Sequence, residues 1–91
     1  MEIMWTDKAR SDVARLYEFL ASVNQPAAAS VVQALTVAPT RLLLTPRLGE
    51  RLDEFMPRDV RRIWVGQYEM RYEIQGQTIY VLMVWHTRED R

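Results

Sequence analysis

VRRIWVGQYEMRYEIQGQTIYVLMVW, residues 60–85, is the stretch on which the reading of the fold turns. Its middle alternates with period two: Tyr68, Met70, Tyr72 and Ile74 on one face, Glu69, Arg71 and Glu73 on the other. That is the pattern of a half-buried strand. Gly66-Gln67 and Gln75-Gly76 read as turns, so three antiparallel strands are predicted: Val60 to Val65, Tyr68 to Ile74 and Ile79 to Trp85. The last is apolar on both faces, as a central strand would be. Tyr80, Leu82 and Val84 form one face, and Ile79, Val81, Met83 and Trp85 the other. Only one can meet the rest of the chain. The other is expected to leave an apolar groove of several hundred Å² that a second polypeptide would cover.

Upstream, Ile3-Met4-Trp5 reads as a short opening strand and Thr6 as the N-cap of a helix from about Asp7 to Ser22. Trp5, Ala9, Val13, Leu16, Tyr17 and Leu20 recur at spacings of three and four, and Lys8, Asp12, Arg15 and Glu18 mark the expected wet face. Asn24-Gln25-Pro26 stops one helix and starts the next. The second apolar stripe, Val31, Val32, Leu35, Ala38 and Leu42, runs to about Leu44 but contains Pro39, so a kink or break is expected near Thr36-Val37. The two helices should form an antiparallel hairpin. Thr45 to Asp59 reads as a long loop that Leu48, Leu52 and Phe55 could pin to the core. The expected class is α+β: a short N-terminal strand and a helical hairpin packed on a C-terminal antiparallel β-meander.

Composition narrows the function classes. A chain of 91 residues is one small domain, 1–91. It holds no cysteine and a single histidine, His86, which removes disulfide staples and leaves no basis for a zinc site. No cofactor is expected. The N-terminus lacks the pattern of a signal peptide, and no apolar run approaches the roughly 20 residues that span a membrane. A cytoplasmic protein with no membrane partner is therefore expected. Twelve basic residues balance 12 acidic ones. RNA- and ribosome-binding modules of this size usually carry a positive excess, because phosphate neutralisation supplies much of their affinity.

Particular residues then point to a family. Pro46-Arg47-Leu48-Gly49, Arg61-Arg62-Ile63-Trp64-Val65-Gly66-Gln67-Tyr68, Arg71-Tyr72-Glu73-Ile74 and Val84-Trp85-His86-Thr87-Arg88 occur in this order over nearly the whole chain. Together they resemble the RelE/ParE superfamily of toxins from bacterial type II toxin–antitoxin pairs. The resemblance implies a growth-inhibiting toxin held inactive by a cognate antitoxin in a hetero-oligomer. RelE-like members cut messenger RNA on the ribosome; ParE-like members bind and poison DNA gyrase.

Cleavage at a ribose 2′-hydroxyl needs a base, a cation for the charge building on phosphorus and an acid for the leaving oxygen. Nucleases of the superfamily commonly open an Arg-x-x-Tyr segment on the middle strand; the matching segment here, Glu69-Met70-Arg71-Tyr72, opens on an anion. Nothing aromatic follows His86, so a nuclease would have to use His86, Arg71 and Arg88. With the neutral charge, these features favour a ParE-like binder, an enzyme being the alternative. The residues expected to meet the target are Arg61, Arg62, Arg71, Trp85, His86 and Arg88, and those expected to meet the antitoxin are Tyr80, Leu82 and Val84.

Blander readings stand beside these. His86 would be a strand-end histidine with a backbone partner. Arg88 and Arg91 would solvate a tail. Arg61, Arg62 and Arg71 would make a basic strip or only cross-strand ion pairs. Trp5, Trp64 and Trp85 would be core. Met83, where relatives often carry arginine, and Pro39 leave open a third reading, a decayed toxin kept for antitoxin binding.

Overall fold

The computed structural model describes residues 1–89. β1 (Glu2–Trp5) leads into α1 (Asp7–Ala21), α2 (Gln25–Val37) and two 3-10 turns, Ala38–Leu43 and Pro46–Leu48. β2 (Glu50–Arg51) and a third 3-10 turn, Asp53–Phe55, precede β3 (Asp59–Val65), β4 (Tyr68–Gln75) and β5 (Thr78–His86). The five strands make one sheet in the order β1-β5-β4-β3-β2. β1 runs parallel to β5 and the other pairs are antiparallel. The α+β class and the meander are as expected, and β5 is central. No helix among the described residues is long and apolar enough to cross a membrane.

The local signals explain the boundaries. Thr6 caps α1: its Oγ1 accepts from the Ala9 N–H at 3.1 Å. Asn24 caps α2 by accepting from the Ala27 N–H at 3.1 Å, with Pro26 in the first turn, where its missing N–H has no partner to lose. α2 stops at Val37, and Pro39 sits in the tighter turn that follows, so the expected break is there. The turn after β4 falls at Gly76-Gln77, one residue later than expected, with Gly76 at a φ of 58°.

One side of the sheet packs on the helical hairpin. Ala9, Leu16 and Leu35 meet Ile63, Met70, Tyr72, Ile79, Val81 and Val84 in a single core. Val84 is a correction: it does not share a free face with Tyr80 and Leu82. Arg71 pairs with Met83 while Tyr72 pairs with Val81, so Leu82 is one residue too many and β5 bulges there. A bulge resets the period-two alternation. It brings Val81 and Val84 both to the hairpin side, leaving Tyr80, Met83 and Trp85 on the other.

The bulge coincides with the end of β1. β1 pairs with β5 only as far as Trp5 opposite Val81. Beyond it, the Thr6 hydroxyl lies 3.0 Å from the carbonyl oxygens of both Val81 and Leu82. Next along this vacated edge, the Val84 N–H donates to the Asp12 carboxylate of α1 at 3.0 Å. Asp12, expected on the wet face, is therefore buried. An N–H buried without an acceptor would cost about 1–3 kcal/mol, and Asp12 removes that cost.

The Pro46–Gly49 loop is held from beneath. The Tyr72 hydroxyl accepts from the Gly49 N–H at 2.9 Å and donates to the Pro46 carbonyl at 2.7 Å. Burial pushes the Tyr72 hydroxyl above its ordinary pKa, keeping it a donor. A Cβ on Gly49 would lie 2.6 Å from the Arg62 carbonyl oxygen and 2.8 Å from the Tyr72 hydroxyl, so this position has no room for a side chain. Gly49→Ala is expected to lower stability by about 1–3 kcal/mol. Thermal melting should show a drop of at least about 4 °C; an unchanged midpoint would mean that the loop is not clamped.

Candidate functional site

The side of the sheet away from the hairpin carries Arg62, Arg71 and Trp85 of the residues singled out from the sequence. Strand pairing sets Arg62 directly opposite Arg71, and Trp64 opposite Glu69, which in turn faces Trp85. Two like charges opposite one another repel. Glu69 relieves this: Arg71 Nε donates to its carboxylate at 2.9 Å, and an Arg62 nitrogen lies 3.9 Å from the same oxygen. The Glu69 side chain is only 1% exposed, so its charge is met within the protein.

Each arginine of this face also lies over an aromatic ring. Arg71 is 4.6 Å from the centre of Trp85 and 5.7 Å from Phe55. Arg62 is 5.4 Å from Trp64, and its Nε donates to Glu50 at 2.9 Å. Arg58 lies 5.9 Å from Phe55 and holds both carboxylate oxygens of Glu73, at 3.1 and 2.8 Å. The face was expected to be an apolar groove. It is a layer of arginines on aromatics: the bulge puts Val84 in the core and Met83 on this face, and the loop bearing Phe55 roofs one corner. Phe55 is half-buried and Leu52 buried as loop pins, whereas Leu48 is largely exposed.

Arg61 does not belong to this set. Neighbouring strand residues point to opposite faces, and its side chain goes to the loop side. There it donates to Asp59 at 2.8 Å and to the carbonyls of Gly49 and Arg47 at 3.0 and 3.3 Å. Trp64, read as core, is 49% exposed, whereas Trp85 is buried and Trp5 half-buried.

His86 is separated from Arg71 by the sheet. It pairs with Tyr68 at the hairpin end, the two rings meeting edge to face at 5.1 Å. Its Nδ1 accepts from the Arg88 N–H at 3.1 Å, and its Nε2 lies 3.2 Å from the Gln67 side-chain oxygen. The first bond leaves the proton on Nε2, donating to Gln67. Both ring nitrogens thus hold structural partners, as a strand-end histidine would. Arg88 is exposed nearby, and Arg91 lies outside the described residues. Among the described residues no cluster of three His, Asp or Glu side chains could hold a metal ion.

Two adjoining hollows follow α1. One, of about 530 Å³, is lined by Lys8, Arg15, Arg71, Met83, Val84, Trp85 and Glu89. The other, of about 700 Å³, is lined by Leu16, Phe19, Leu20, Tyr68, His86 and Arg88, and shares Arg15 and Glu89 with the first. Lys8, Arg15 and Phe19 were not singled out from the sequence. Lys8 and Arg15 had been read as solvated, and a helix wheel alone gives no sign that Asp12 between them is buried.

Two salt bridges, Arg58–Glu73 on the arginine face and Arg15–Glu89 between the hollows, set a pH dependence. The Arg58 hydrogen bond holds the Glu73 carboxyl below the usual carboxylate range, and the Arg15 hydrogen bond does the same for Glu89. A carboxylate whose pKa falls on folding adds stability that is present above its unfolded value, near 4.5, and lost as pH falls through the folded value. Denaturation midpoints should hold near neutrality and fall on acidification below that value. The double variant Glu73→Gln/Glu89→Gln should be less stable at neutral pH and lose less on acidification; an identical pH profile would remove these pairs as the cause.

Three comparisons bear on this geometry. A family model described as the ParE toxin of the type II toxin–antitoxin system parDE matches residues 3–91. Among solved structures, a chromosomal ParDE system from P. aeruginosa shares the fold with a TM-score of 0.79 at 21% identity, covering 94% of this chain and 95% of that one. A search of curated proteins finds no match.

Proposed function

Because this chain belongs to the ParE toxin family of type II toxin–antitoxin systems, we propose that it inhibits growth by binding a target such as DNA gyrase, and that a cognate antitoxin neutralises it in a hetero-oligomer. The proposed location is the cytoplasm, where such a target resides. The observation that carries binding over cleavage is the separation of the groups a nuclease would need. His86 sits at the hairpin end with both ring nitrogens engaged. Arg71 lies on the far side of the sheet against Glu69. The Arg15–Glu89 ion pair stands between the hollows that the two line, and a phosphate approaching Arg71 would meet the Glu69 carboxylate.

The surface favoured for the target is the layer of Arg62, Arg71 and Trp85. Arginine and tryptophan are among the side chains enriched at the energetic centres of protein–protein contacts. The guanidinium planes are already held by carboxylates and rings, so less side-chain freedom is lost on binding. His86 and Arg88 would lie at its margin, and Arg61 is better accounted for by its loop contacts.

Purified protein is expected to block DNA supercoiling by gyrase in a dose-dependent manner; normal supercoiling at saturating protein would exclude gyrase as the target. His86→Ala is expected to arrest growth as the parent does, with no new messenger ends by primer extension. New messenger ends on expression of the parent, lost together with growth arrest in His86→Ala, would instead establish the nuclease.

A further inference from the structure

The chain balances 12 bases against 12 acids, yet from Phe19 to Gly49 it contains no Asp or Glu and only two cations, Arg41 and Arg47. The arginines of β2 and β3 all meet carboxylates: Arg51 and Arg61 reach Asp59 at 3.8 and 2.8 Å, and Arg62 reaches Glu50 at 2.9 Å. Among the described residues, Arg41 and Arg47 pair with no acid. Arg41 Nε donates to the Ala38 carbonyl at 3.4 Å, which leaves its charge unanswered. Between and beside these cations stand three leucines turned to solvent: Leu43, Leu44 and Leu48 are 42%, 91% and 53% exposed. One exposed leucine is ordinary; three within six residues, next to two unpaired arginines, make a patch.

The patch is held outward by its base. Leu42 is wholly buried in the core. The Thr45 hydroxyl donates to the Arg41 carbonyl at 3.1 Å, and the Leu48 N–H to the Thr45 carbonyl at 3.0 Å. Beneath them Tyr72 holds Pro46 and Gly49, and Arg61 holds the carbonyls of Arg47 and Gly49. A slack loop would fold its leucines back against the protein; this one is fixed with them outward, so little freedom remains to be lost on binding. The loop also adjoins the arginine face across the sheet edge. Gly49 lies against the Arg62 carbonyl, and its neighbour Glu50 accepts from the Arg62 side chain.

We propose that the Arg41–Leu48 loop is a docking surface for DNA gyrase, and that it enters an apolar socket on the gyrase surface rimmed by Asp or Glu. The inference rests on the gyrase reading and adds a second contact surface and its chemistry. Leu44 fills the socket, with Leu43 and Leu48 closing its sides. Carboxylates at the rim accept from Arg41 and Arg47 and set the orientation. A nucleic-acid strand would answer the arginines but leave the leucines in water. A flat anionic membrane would answer both but would also press on Glu50, which is 62% exposed beside Gly49. A shaped, acid-rimmed protein surface satisfies the leucines and arginines together without meeting Glu50.

The test uses the full chain and, as probe, the purified DNA gyrase holoenzyme. Binding is compared for the parent, Leu44→Ser, the double variant Arg41→Gln/Arg47→Gln and the control Val23→Ser, an 82% exposed apolar residue outside the loop. Leu44→Ser and the double variant are each expected to weaken Kd by roughly tenfold, and the control by less than about twofold. The double variant should also lose part of the weakening that rising salt brings to the parent complex. Because Leu44 packs against almost nothing, Leu44→Ser should melt with the parent, which separates a lost contact from a lost fold. Equal affinities in all four proteins would overturn the loop surface and leave the gyrase reading intact. No binding by the parent would remove that reading and the loop surface with it. Capture of the parent by phosphatidylglycerol vesicles, or a parent dimer, either one abolished by Leu44→Ser while gyrase binding is unchanged, would give the loop to a membrane or a second copy and overturn the proposal.

Discussion

The architecture depends on how the protein handles one uneven edge. β5 is the central strand and runs to His86, but its parallel neighbour β1 stops opposite Val81. From there on, an edge of the central strand has no strand beside it. α1 closes the gap with side chains. The Thr6 hydroxyl reaches the Val81 and Leu82 carbonyls, and the Asp12 carboxylate takes the Val84 N–H. These contacts tie the helix to the strand end and set its angle over the sheet. They also place Lys8 and Arg15, which pair with the buried Asp12 and the half-buried Glu89, along the hollows beside α1. The bulge at Leu82 belongs to the same arrangement, since it turns successive backbone groups toward the side from which α1 approaches.

The opposite face follows a different logic. With Val84 turned to the hairpin side, it is built largely from arginines, aromatic rings and carboxylates. Burying Glu69 between Arg62 and Arg71 costs desolvation, which close pairing offsets, and stacking on Trp85 and Trp64 adds about 0.5–2 kcal/mol per contact. The outcome is a surface rich in guanidinium groups but nearly neutral in charge. Such a surface attracts a polyanion weakly at long range and still offers directional donors at short range, which suits a protein partner better than an RNA strand.

Much of this was readable in advance because the signals are local. Thr6 and Asn24 cap their helices, Pro39 ends α2, and the alternation through Tyr68–Ile74 is the strand that forms. The opposite orientations of Arg61 and Arg62 were implied by their adjacency alone. What could not be read depends on distant partners. The bulge leaves no mark in composition, because Leu82 is as apolar as its neighbours, yet one inserted residue moves Val84 from a free face to the core. Asp12 at helical spacing from Lys8 looks like any solvated acid until β1 is seen to be shorter than β5. Gly49 was visible as part of a motif, but its reason, the approach of the Arg62 carbonyl and the Tyr72 hydroxyl, is tertiary.

The pairing of β1 with β5 also has a consequence for biosynthesis. The first strand to leave the ribosome finds its partner only after both helices, the long loop and the rest of the meander have emerged, since Glu2 aligns with Thr78. Until then the nascent chain can form helices but has no central strand on which to lay them. The groove between α1 and β5 comes into being at that last step. Any partner that reads this groove can meet it only on the completed chain.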